Sequence, residues 1–534
     1  MKKQIQIYDT TLRDGTQSED ISFSVEDKLQ IAQKLDGLGI HYIEGGWPGA
    51  NPKDTEFFER ASRELKLKRS RLVAFGSTRK ASNPASKDKI LNDLLASDTK
   101  TICIFGKTWD LHVHQALSIS LQENLVLIED SVAYLKKHKK EVLFDAEHFF
   151  DGYKKNKAYA LKALMAAKKG GADRLVLCDT NGGALSHEIS RIVKEVKKKI
   201  KGMPLGIHCH NDGGVGVSNS LAAVLEGVTQ VQGTINGIGE RCGNANLCSV
   251  IPNLELKMGY KCLGAKQVSR LREISLFVDE MANRSPNQHE PYVGDSAFAH
   301  KGGVHVHAVL KEARTYEHID PAQVGNRRNI LLSDLAGAAA LIFKAREFGI
   351  PLKNGDAQTK ALLTKVKELE NRGYQFEGAD ASLEIFLRKE LGSYKSHFVL
   401  HDFRVIDEIV ADVATGAKII PRSEAIMHLA VDGNEETAKA TGVGPVHALD
   451  QALRRALERF YPRLSEMRLL DYKVRVLPGA EGTASKVRVL LECGDQNKKW
   501  GTVGVSENII QASYQALVES IDYKLMKDGY LRPI

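Results

Sequence analysis

The first half of the chain alternates short β-rich runs with helix-length amphipathic stretches. Each run ends in polar or glycine-rich residues, and eight such units of similar spacing occur within about 250 residues, which is the size of a closed parallel barrel. An open doubly wound sheet more often stops at about five to seven strands. The pattern therefore predicts an α/β fold that begins with a (β/α)8 TIM barrel over residues 1–280. The eight runs are IQIYDTTLRDG (5–15), HYIEGGWPG (41–49), RLVAFGST (71–78), TICIFGKT (101–108), EVLFDAEHFFDG (141–152), RLVLCDTNGG (174–183), LGIHCHNDGG (205–214) and VQGTINGIGERCGN (231–244).

The polar residues of these runs gather where each strand ends and its loop begins. In a TIM barrel this is the C-terminal face, which carries the active site. Ordinary turns explain the glycines at these positions. They do not explain why Arg, Asp, Glu, His and Asn concentrate at one end of the strands, so we expect the active site there.

Two histidines in the seventh run are the first candidate metal ligands. His208 and His210 are two positions apart in GIHCHND, and because side chains alternate faces along a strand, both imidazoles should point the same way. Such a pair taken alone is more often a packing or surface feature. Asp14 after the first strand and Asn244 after the eighth add two oxygen ligands. Two imidazoles with oxygen ligands suit Zn²⁺, Mn²⁺ or Mg²⁺ in a site that keeps positions open for water or substrate.

Other polar residues at the same strand ends are candidates for contact with a substrate. Arg13 can hold an oxyanion, because its guanidinium stays charged and donates in fixed directions. The alternative for Arg13 is a salt bridge to Asp14 or Glu240. Glu147 is a candidate general acid or base, or a residue that orients one. Three further residues are expected to line the same mouth: Glu44, Thr180 and Glu240.

Composition narrows the class of protein. The chain has 534 residues, of which 43% are hydrophobic and 27% charged, with a formal net charge of +8; these values are typical of globular proteins. The lysine-rich patches KKHKK (136–140) and VKKKIKG (196–202) lack interleaved aromatic residues, so we expect no nucleic-acid partner. No apolar run is long enough for a membrane span. Seven scattered cysteines without a C-x-x-C pair, and a start without a signal-peptide pattern, predict a cytoplasmic protein.

The second half of the chain has a different pattern. Residues 281–395 combine Gly/Pro-marked turns with helical runs and are expected to form a mostly helical linker region that covers the active site. Residues 396–534 alternate extended strands with helices at 444–460 and 507–525. They predict a C-terminal α/β domain built from two strand-strand-strand-helix repeats, and no cluster of acid, base and metal-ligating residues marks this domain as a second active site.

Three spaced motifs resemble the signatures of the metal-dependent acyl-CoA condensing enzymes, in the order of that family. The family includes the 2-isopropylmalate, homocitrate and citramalate synthases and the related hydroxymethylglutaryl-CoA lyases. The motifs are DTTLRDGTQ (9–17), HCHND (208–212) and GIGERCGNANL (237–247). The resemblance implies that Arg13 polarises a keto acid and that Glu147 is an active-site glutamate. It implies four metal ligands: Asp14, His208, His210 and Asn244.

The resemblance extends beyond the barrel. Residues 297–325 look like the family segment that supplies a catalytic histidine and tyrosine, and the matching positions are His305 and Tyr316. Residues 396–534 resemble the family's regulatory domain, which binds a branched-chain amino acid end product and helps to form a dimer. The base that takes a proton from acetyl-CoA is left open between His305 and a water held by Glu147.

Within the family, the runs EGGWPGANPKD (44–54) and DTNGG (179–183) are similar to those of citramalate synthases. This implies condensation of acetyl-CoA with pyruvate in the pyruvate route to isoleucine, with a divalent metal ion, feedback inhibition by isoleucine and a homodimer. A 2-isopropylmalate synthase acting on 2-ketoisovalerate and a metal-dependent acyl-CoA lyase remain as alternatives. One departure is Asp145, which stands where some citramalate synthases carry an aromatic residue.

Overall fold

Eight parallel strands in the first half of the chain close into a barrel. The computed structural model describes residues 4–332, 337–410, 420–477 and 485–530. Within it the strands follow one another around the barrel in chain order, and β1 pairs with β8 to close it. The predicted TIM barrel is confirmed. Its strands are β1 (Gln6–Asp9), β2 (Tyr42–Gly46), β3 (Arg71–Ser77), β4 (Thr101–Lys107), β5 (Glu141–Glu147), β6 (Arg174–Asp179), β7 (Leu205–Cys209) and β8 (Gln230–Gly233).

Helices connect the strands and cover the outside of the barrel. The first of them shows how its ends are set: Ser24 and Asp27 form a reciprocal capping box, and Gly39 ends the helix in the left-handed conformation at φ 91°. No helix in the described ranges is long and apolar enough to cross a membrane. The helices are α1 (Val25–Leu38), α2 (Pro52–Glu64), α3 (Lys89–Ala96), α4 (Asp110–His112), α5 (Leu121–Lys137), α6 (Phe149–Lys155), α7 (Lys157–Gly170), α8 (Ser186–Lys199), α9 (Gly216–Leu225), α10 (Leu247–Pro252), α11 (Ala265–Val268) and α12 (Leu271–Met281).

The barrel strands are buried on both faces, as parallel strands under a layer of helices must be. Outward-facing residues such as Ile7 and Ile43 belong to the large core between strands and helices. Inward-facing aromatic residues, among them Tyr8, Tyr42 and Phe75, form a separate cluster inside the barrel. The inner cluster fills the barrel, so the space left for a ligand lies at its end.

Chain contacts group the molecule into two compact units. The first contains the barrel, runs to Phe298 and includes Ile319–Arg328; the second contains Ala299–His318 and the chain from Asn329 onward. The first part of the second unit is mostly helical, as predicted, and has its own apolar core around Val306, Leu341 and Leu383. Its elements are β9 (Ala299–His300), α13 (Gly303–Lys311), β10 (Asn329–Ile330), α14 (Ala338–Glu347), α15 (Ala357–Asn371) and α16 (Asp380–Glu390).

The last part of the chain repeats one motif twice. Each copy is a three-stranded antiparallel sheet followed by a helix, which confirms the predicted strand-strand-strand-helix repeats. Apolar residues of both helices, such as Leu453 and Leu517, share one core with Leu491 of the second sheet. The elements are β11 (Val399–Val410), β12 (Ile420–Val431), β13 (Asn434–Gly442) and α17 (Pro445–Leu457), then β14 (Arg468–Val476), β15 (Val487–Gly494), β16 (Lys499–Ser506) and α18 (Ile509–Lys527).

Candidate active site

Most of the predicted site residues line one cavity at the C-terminal end of the barrel. The cavity has a volume of about 210 Å³. Glu44 and Asn244 do not line it, but each contacts a residue that does. The lining consists of Arg13, Asp14, Gln17, Trp47, Phe75, Phe105, Asp145, Glu147, Cys178, Thr180, His208, His210 and Glu240.

Three predicted metal ligands converge within this cavity. Nε2 of His208 lies 3.4 Å from Oδ2 of Asp14, and Nε2 of His210 lies 3.9 Å from the same oxygen. One ligand atom from each residue lies within 4.8 Å of the other two, and among the described residues this is the one such group of His, Cys, Asp or Glu. All three side chains are buried. His208 is in β7 and His210 follows the last residue of that strand, so the period-two alternation of the extended chain points both toward the barrel mouth.

The loop after β8 brings Asn244 beside this group. Its Nδ2 donates to Oδ1 of Asp14 at 3.1 Å, and its backbone bridges to that of His210. Gly243 allows the loop to turn: its φ is +83°, and a Cβ there would lie 1.9 Å from the carbonyl oxygen of Gly237. The predicted fourth ligand is therefore next to the other three.

The donor atoms fit a divalent cation. Oδ1 of Asn244 and Nδ1 of His210 are buried and have no hydrogen-bond partner among the described residues, which is costly for polar atoms unless something else binds the side chain. Nδ1 of His208 is 2.8 Å from Oε1 of Gln232, so Nε2 is free to accept a metal. Two imidazole nitrogens and two oxygens match the preference of Zn²⁺ or Mn²⁺.

Arg13 is fixed by two carboxylates. Its Nε donates to Oε1 of Glu44 at 2.5 Å, and its Nη1 lies 3.2 Å from Oδ2 of Asp14. Its guanidinium carbon also lies 3.8 Å from the ring centroid of Phe75. Burial alone would lower the pKa of Arg13, but Glu44 and Asp14 raise it above its ordinary value, so the group stays charged. Of the alternatives from the sequence, the salt bridge to Asp14 forms, and Glu44 takes the place considered for Glu240.

Glu44 is completely buried, and its carboxylate accepts hydrogen bonds from two other side chains. It accepts from Arg13 and from the hydroxyl of Tyr8. It therefore contacts the cavity through Arg13. Direct contact of Glu44 with a substrate stays a prediction.

Three aromatic rings form one side of the cavity. Phe75 and Phe105 are stacked with ring centroids 5.5 Å apart, and the ring of Trp47 meets both edge-on at 6.0 and 5.6 Å. Phe75 and Phe105 project from adjacent strands, β3 and β4. We refer to Trp47, Phe75 and Phe105 as the aromatic wall. A rigid apolar surface of this kind limits the size of a bound group.

The ends of β5 and β6 supply Glu147 and Thr180. The carboxylate of Glu147 forms an ion pair with Lys107. Oγ1 of Thr180 accepts the backbone N–H of His148 at 2.9 Å, and His148 has a left-handed backbone with φ +54°. This bond uses a lone pair of the Thr180 oxygen. The hydroxyl hydrogen is a separate donor that can bond to another group.

The surroundings of the side chains in the cavity shift their pKa values in different directions. Burial raises the pKa of Asp14, but Arg13 and His208 outweigh it and hold that pKa well below its usual range. Burial, helped by the neighbouring His208, lowers the pKa of His210 to about 4. Burial and the nearby Glu44 raise the pKa of Asp145 to about 6. At neutral pH, Asp14 is thus an anion and His210 a neutral imidazole, the forms that bind metals.

His305 and Tyr316 lie in the second unit. Their rings are in contact, with centroids 4.2 Å apart, and Tyr316 is 45% exposed. The structure brings these two predicted residues together with each other. Their role at the barrel mouth stays a prediction.

Several residues of the site were missed by the sequence analysis, among them Tyr8, Trp47, Lys107 and Gln232. Trp47 and Lys107 end or follow predicted strands, so the rule that located Glu44 and Glu147 could have found them. Tyr8 and Gln232 are inside strands, and only the pairing of strands makes them neighbours of the site. In the parallel register of β7 and β8, Gln232 is directly opposite His208.

Comparisons with known proteins agree with this architecture. The HMGL-like family model matches residues 4–278, the homocitrate synthase post-HMGL domain-like model matches residues 292–374, and the LeuA allosteric (dimerisation) domain matches residues 377–525. Five (R)-citramalate synthases are 46–57% identical to the chain over at least 98% of its length.

Two of these relatives come from Geobacter sulfurreducens, with 57% identity over 98% of both chains, and Aquifex aeolicus, with 54% over 99% of both. A probable 2-isopropylmalate synthase from Methanopyrus kandleri is less similar, with 35% identity over 98% of both chains. The barrel, its cavity and the full-length similarity lead to one assignment: the chain belongs to the HMGL-like family of acyl-CoA condensing enzymes.

Proposed function

We propose that this protein condenses acetyl-CoA with pyruvate to give (R)-citramalate and free CoA. The observation that carries the proposal is the convergence of Asp14, His208 and His210 beside Arg13 at one cavity. Full-length similarity to five (R)-citramalate synthases supports the choice of reaction. Lower similarity to the 2-isopropylmalate synthase relative supports pyruvate over 2-ketoisovalerate.

Four side chains would hold the metal ion: Asp14, His208, His210 and Asn244. The chemistry that a bound divalent cation supplies is Lewis-acid polarisation of a keto group. Mn²⁺, Mg²⁺ and Zn²⁺ all accept nitrogen and oxygen donors, although Mg²⁺ prefers oxygen. The unpartnered Oδ1 of Asn244 and the neutral His210 support this ligand set.

Arg13 and Thr180 would orient the keto acid. Two of the guanidinium nitrogens of Arg13 are held by Glu44 and Asp14, so its remaining N–H groups are pre-aimed at the oxygen on which negative charge develops. The hydroxyl of Thr180 would donate to the carboxylate of the keto acid. Both donors are fixed before the substrate arrives, so little reorganisation opposes the reaction.

The condensation needs a base and a carbon–carbon bond. A base removes a methyl proton of acetyl-CoA, and the resulting enolate carbon attacks the keto carbon of pyruvate while the keto oxygen takes up a proton. Water then cleaves the thioester of citramalyl-CoA, which releases citramalate and CoA. We propose two candidates for the base. One is a water held by Glu147, and the other is His305 with Tyr316 as the partner of that histidine.

The aromatic wall would set the choice of keto acid. Pyruvate carries a methyl group, and 2-ketoisovalerate an isopropyl group. Each extra carbon in a filled apolar pocket changes the discrimination by about 1–3 kcal/mol. Stacked rings held from a third side by Trp47 have little freedom to yield, which favours the smaller acid.

We propose that the second unit regulates the enzyme and pairs two copies of the chain. The match to the LeuA allosteric (dimerisation) domain supports this role, and isoleucine is the proposed effector. The edge strands β11 and β14 expose several apolar side chains, which suits a surface that another copy covers. These side chains are Val399, Ile406, Leu469, Leu470, Val474 and Val476.

The work would divide among three segments. Residues 1–280 would carry out the condensation, residues 281–395 would supply His305 and Tyr316, and residues 396–534 would bind isoleucine in a cytoplasmic homodimer.

The test is release of free CoA thiol from acetyl-CoA by the purified protein, with Mn²⁺ and a panel of keto acids. Arg13→Lys is a suitable variant, because it keeps the charge but removes the forked geometry, and it should reduce release strongly.

A further inference from the structure

Three buried side chains form a hydrogen-bonded chain across the barrel interior, next to the proposed metal site. Nδ1 of His208 lies 2.8 Å from Oε1 of Gln232, and Nε2 of Gln232 donates to Oδ1 of Asp145 at 3.3 Å. The residues belong to β7, β8 and β5, and none is more than 4% exposed. Because the three side chains are almost completely buried, their polar atoms rely mainly on protein neighbours for hydrogen bonds.

The order of these residues fixes the direction of every hydrogen bond. An ionised carboxylate such as that of Asp145 only accepts, so Gln232 must direct its NH₂ group toward Asp145 and its oxygen toward His208. A ring nitrogen that faces a carbonyl oxygen must carry the hydrogen. In the neutral ring this leaves the lone pair on Nε2, the atom that lies 3.4 Å from Oδ2 of Asp14.

We propose that Gln232 and Asp145 are positioning residues that hold His208 in the tautomer a metal ligand requires. The inference rests on the proposed metal site and adds the groups that orient it. Metal-ligating histidines usually donate their second N–H to another group, and loss of that group typically lowers metal affinity about 10–100-fold. Here the partner is a neutral amide, and the amide is itself oriented by a carboxylate on a third strand.

His210 and Gln230 lack the hydrogen bonds that connect His208 and Gln232. Within the part of the chain that the structure describes, Nδ1 of His210 is buried without a partner, so His208 is the histidine that the barrel interior orients. Gln230 lies two positions before Gln232 on β8 and is also completely buried, but no described residue forms a hydrogen bond with either of its side-chain polar atoms. Gln230 is therefore a matched control for Gln232 in residue type, strand and burial.

The direct test is a calorimetric titration of the chelator-treated full-length protein with Mn²⁺. Gln232→Leu removes the acceptor for His208 and should weaken Mn²⁺ binding about 10–100-fold. Gln230→Leu should bind Mn²⁺ as the unchanged protein does. Melting temperatures of both variants show whether a loss of affinity comes from a loss of fold.

A swapped pair tests the direction of the chain. Gln232→Glu places a carboxylate against Asp145, where like charges repel, and should weaken Mn²⁺ binding. Adding Asp145→Asn restores a donor toward Glu at position 232, whose other oxygen still accepts from His208, so affinity should recover in the double variant. ¹⁵N chemical shifts of the histidine rings should show Nδ1–H on His208 in the unchanged protein and the double variant, and a tautomer mixture in Gln232→Leu.

The outcomes are distinct. A folded Gln232→Leu variant that binds Mn²⁺ as tightly as the unchanged protein overturns the positioning role, and so does a double variant that shows no recovery over Gln232→Glu. If Gln232→Leu does not fold, the swapped pair and the ring ¹⁵N shifts decide. If the unchanged protein binds no Mn²⁺, the proposed metal site is wrong and the inference is overturned with it.

Discussion

Glu44 holds Arg13 in the active-site cavity by a single short contact, 2.5 Å between Oε1 and Nε. The carboxylate is completely buried, and Arg13 is the one of the two that lines the cavity. A buried charge is expensive unless it is paired. The pair therefore fixes both the charge and the direction of the guanidinium that lines the cavity.

Replacing Glu44 by Gln should lower kcat more than it changes the KM for acetyl-CoA. The amide keeps the shape of the carboxylate but removes the counter-charge of Arg13. Complete loss of one preorganised donor costs about 10²–10³-fold in rate, and we expect a smaller loss here because Arg13 itself is kept. Tyr8→Phe is the control, because it removes the other hydrogen bond to Glu44 and leaves the contact with Arg13. Steady-state kinetics give kcat and KM for both variants, and melting temperatures show whether each variant keeps its fold. An unchanged kcat in Glu44→Gln would show that the pair does not orient Arg13 for the reaction.

Asp9 should make the protein less stable as the pH rises. It accepts two hydrogen bonds from Thr11, yet burial raises its pKa from 3.8 to about 7. A carboxyl with a raised pKa binds its proton more tightly in the folded state, so its contribution to stability is present below pH 4 and is lost as the pH passes 7.

The variant Asp9→Asn removes this titration. Its free energy of unfolding relative to the unchanged protein should rise between pH 4 and pH 7, by up to a few kcal/mol. Urea denaturation at a series of pH values measures the difference. Asp145 and Asp179, whose pKa values are raised to about 6, titrate in both proteins and cancel. A difference that does not vary with pH would contradict the prediction.

Shortening the aromatic wall should change the preference among keto acids. Phe75→Leu opens space beside Phe105 and Trp47, and we expect it to improve kcat/KM for 2-ketoisovalerate relative to pyruvate by about 10–200-fold. Phe144→Leu is the matched control. Phe144 is a core residue of β5 and does not line the cavity, so its replacement should reduce stability and leave the ratio unchanged. Equal ratios in both variants would exclude the wall as the specificity determinant.

His305 and Tyr316 should matter for the proton transfer and not for the binding of pyruvate. We expect His305→Ala to lower kcat by about 10²–10⁴-fold, the usual contribution of a general base, with little change in the KM for pyruvate. Tyr316→Phe keeps the ring that contacts His305 and should have a smaller effect. His307→Ala, on the same helix, is the control. Wild-type kcat in His305→Ala would leave Glu147 as the candidate base.

The sequence pattern was sufficient to predict the barrel and the convergence of Asp14, His208 and His210. The eight runs ended in polar residues because parallel strands buried on both faces are apolar until they reach the loop. The two-residue spacing of His208 and His210 then predicted that both rings point the same way, because side chains alternate faces along a strand. The two C-terminal repeats were also visible, because each helix had the length and periodicity of an amphipathic face.

Contacts between strands could not be predicted in the same way. The pattern places Gln232 in the eighth run, but its contact with His208 depends on the register of β7 against β8. Glu44 was expected to line the barrel mouth because it lies near a strand end, yet its carboxylate is turned to Arg13 and Tyr8. Lys107 pairs with Glu147 because β4 and β5 are in register at these two residues. Such pairings are properties of the closed barrel.

Release of CoA thiol, measured with pyruvate and with 2-ketoisovalerate as acceptors and Mn²⁺ supplied, tests the central claim most directly. The arrangement of Arg13, the proposed metal ligands and the aromatic wall predicts metal-dependent release with a higher kcat/KM for pyruvate, and (R)-citramalate as the product. A higher kcat/KM for 2-ketoisovalerate, or no release with either acid, would contradict the account.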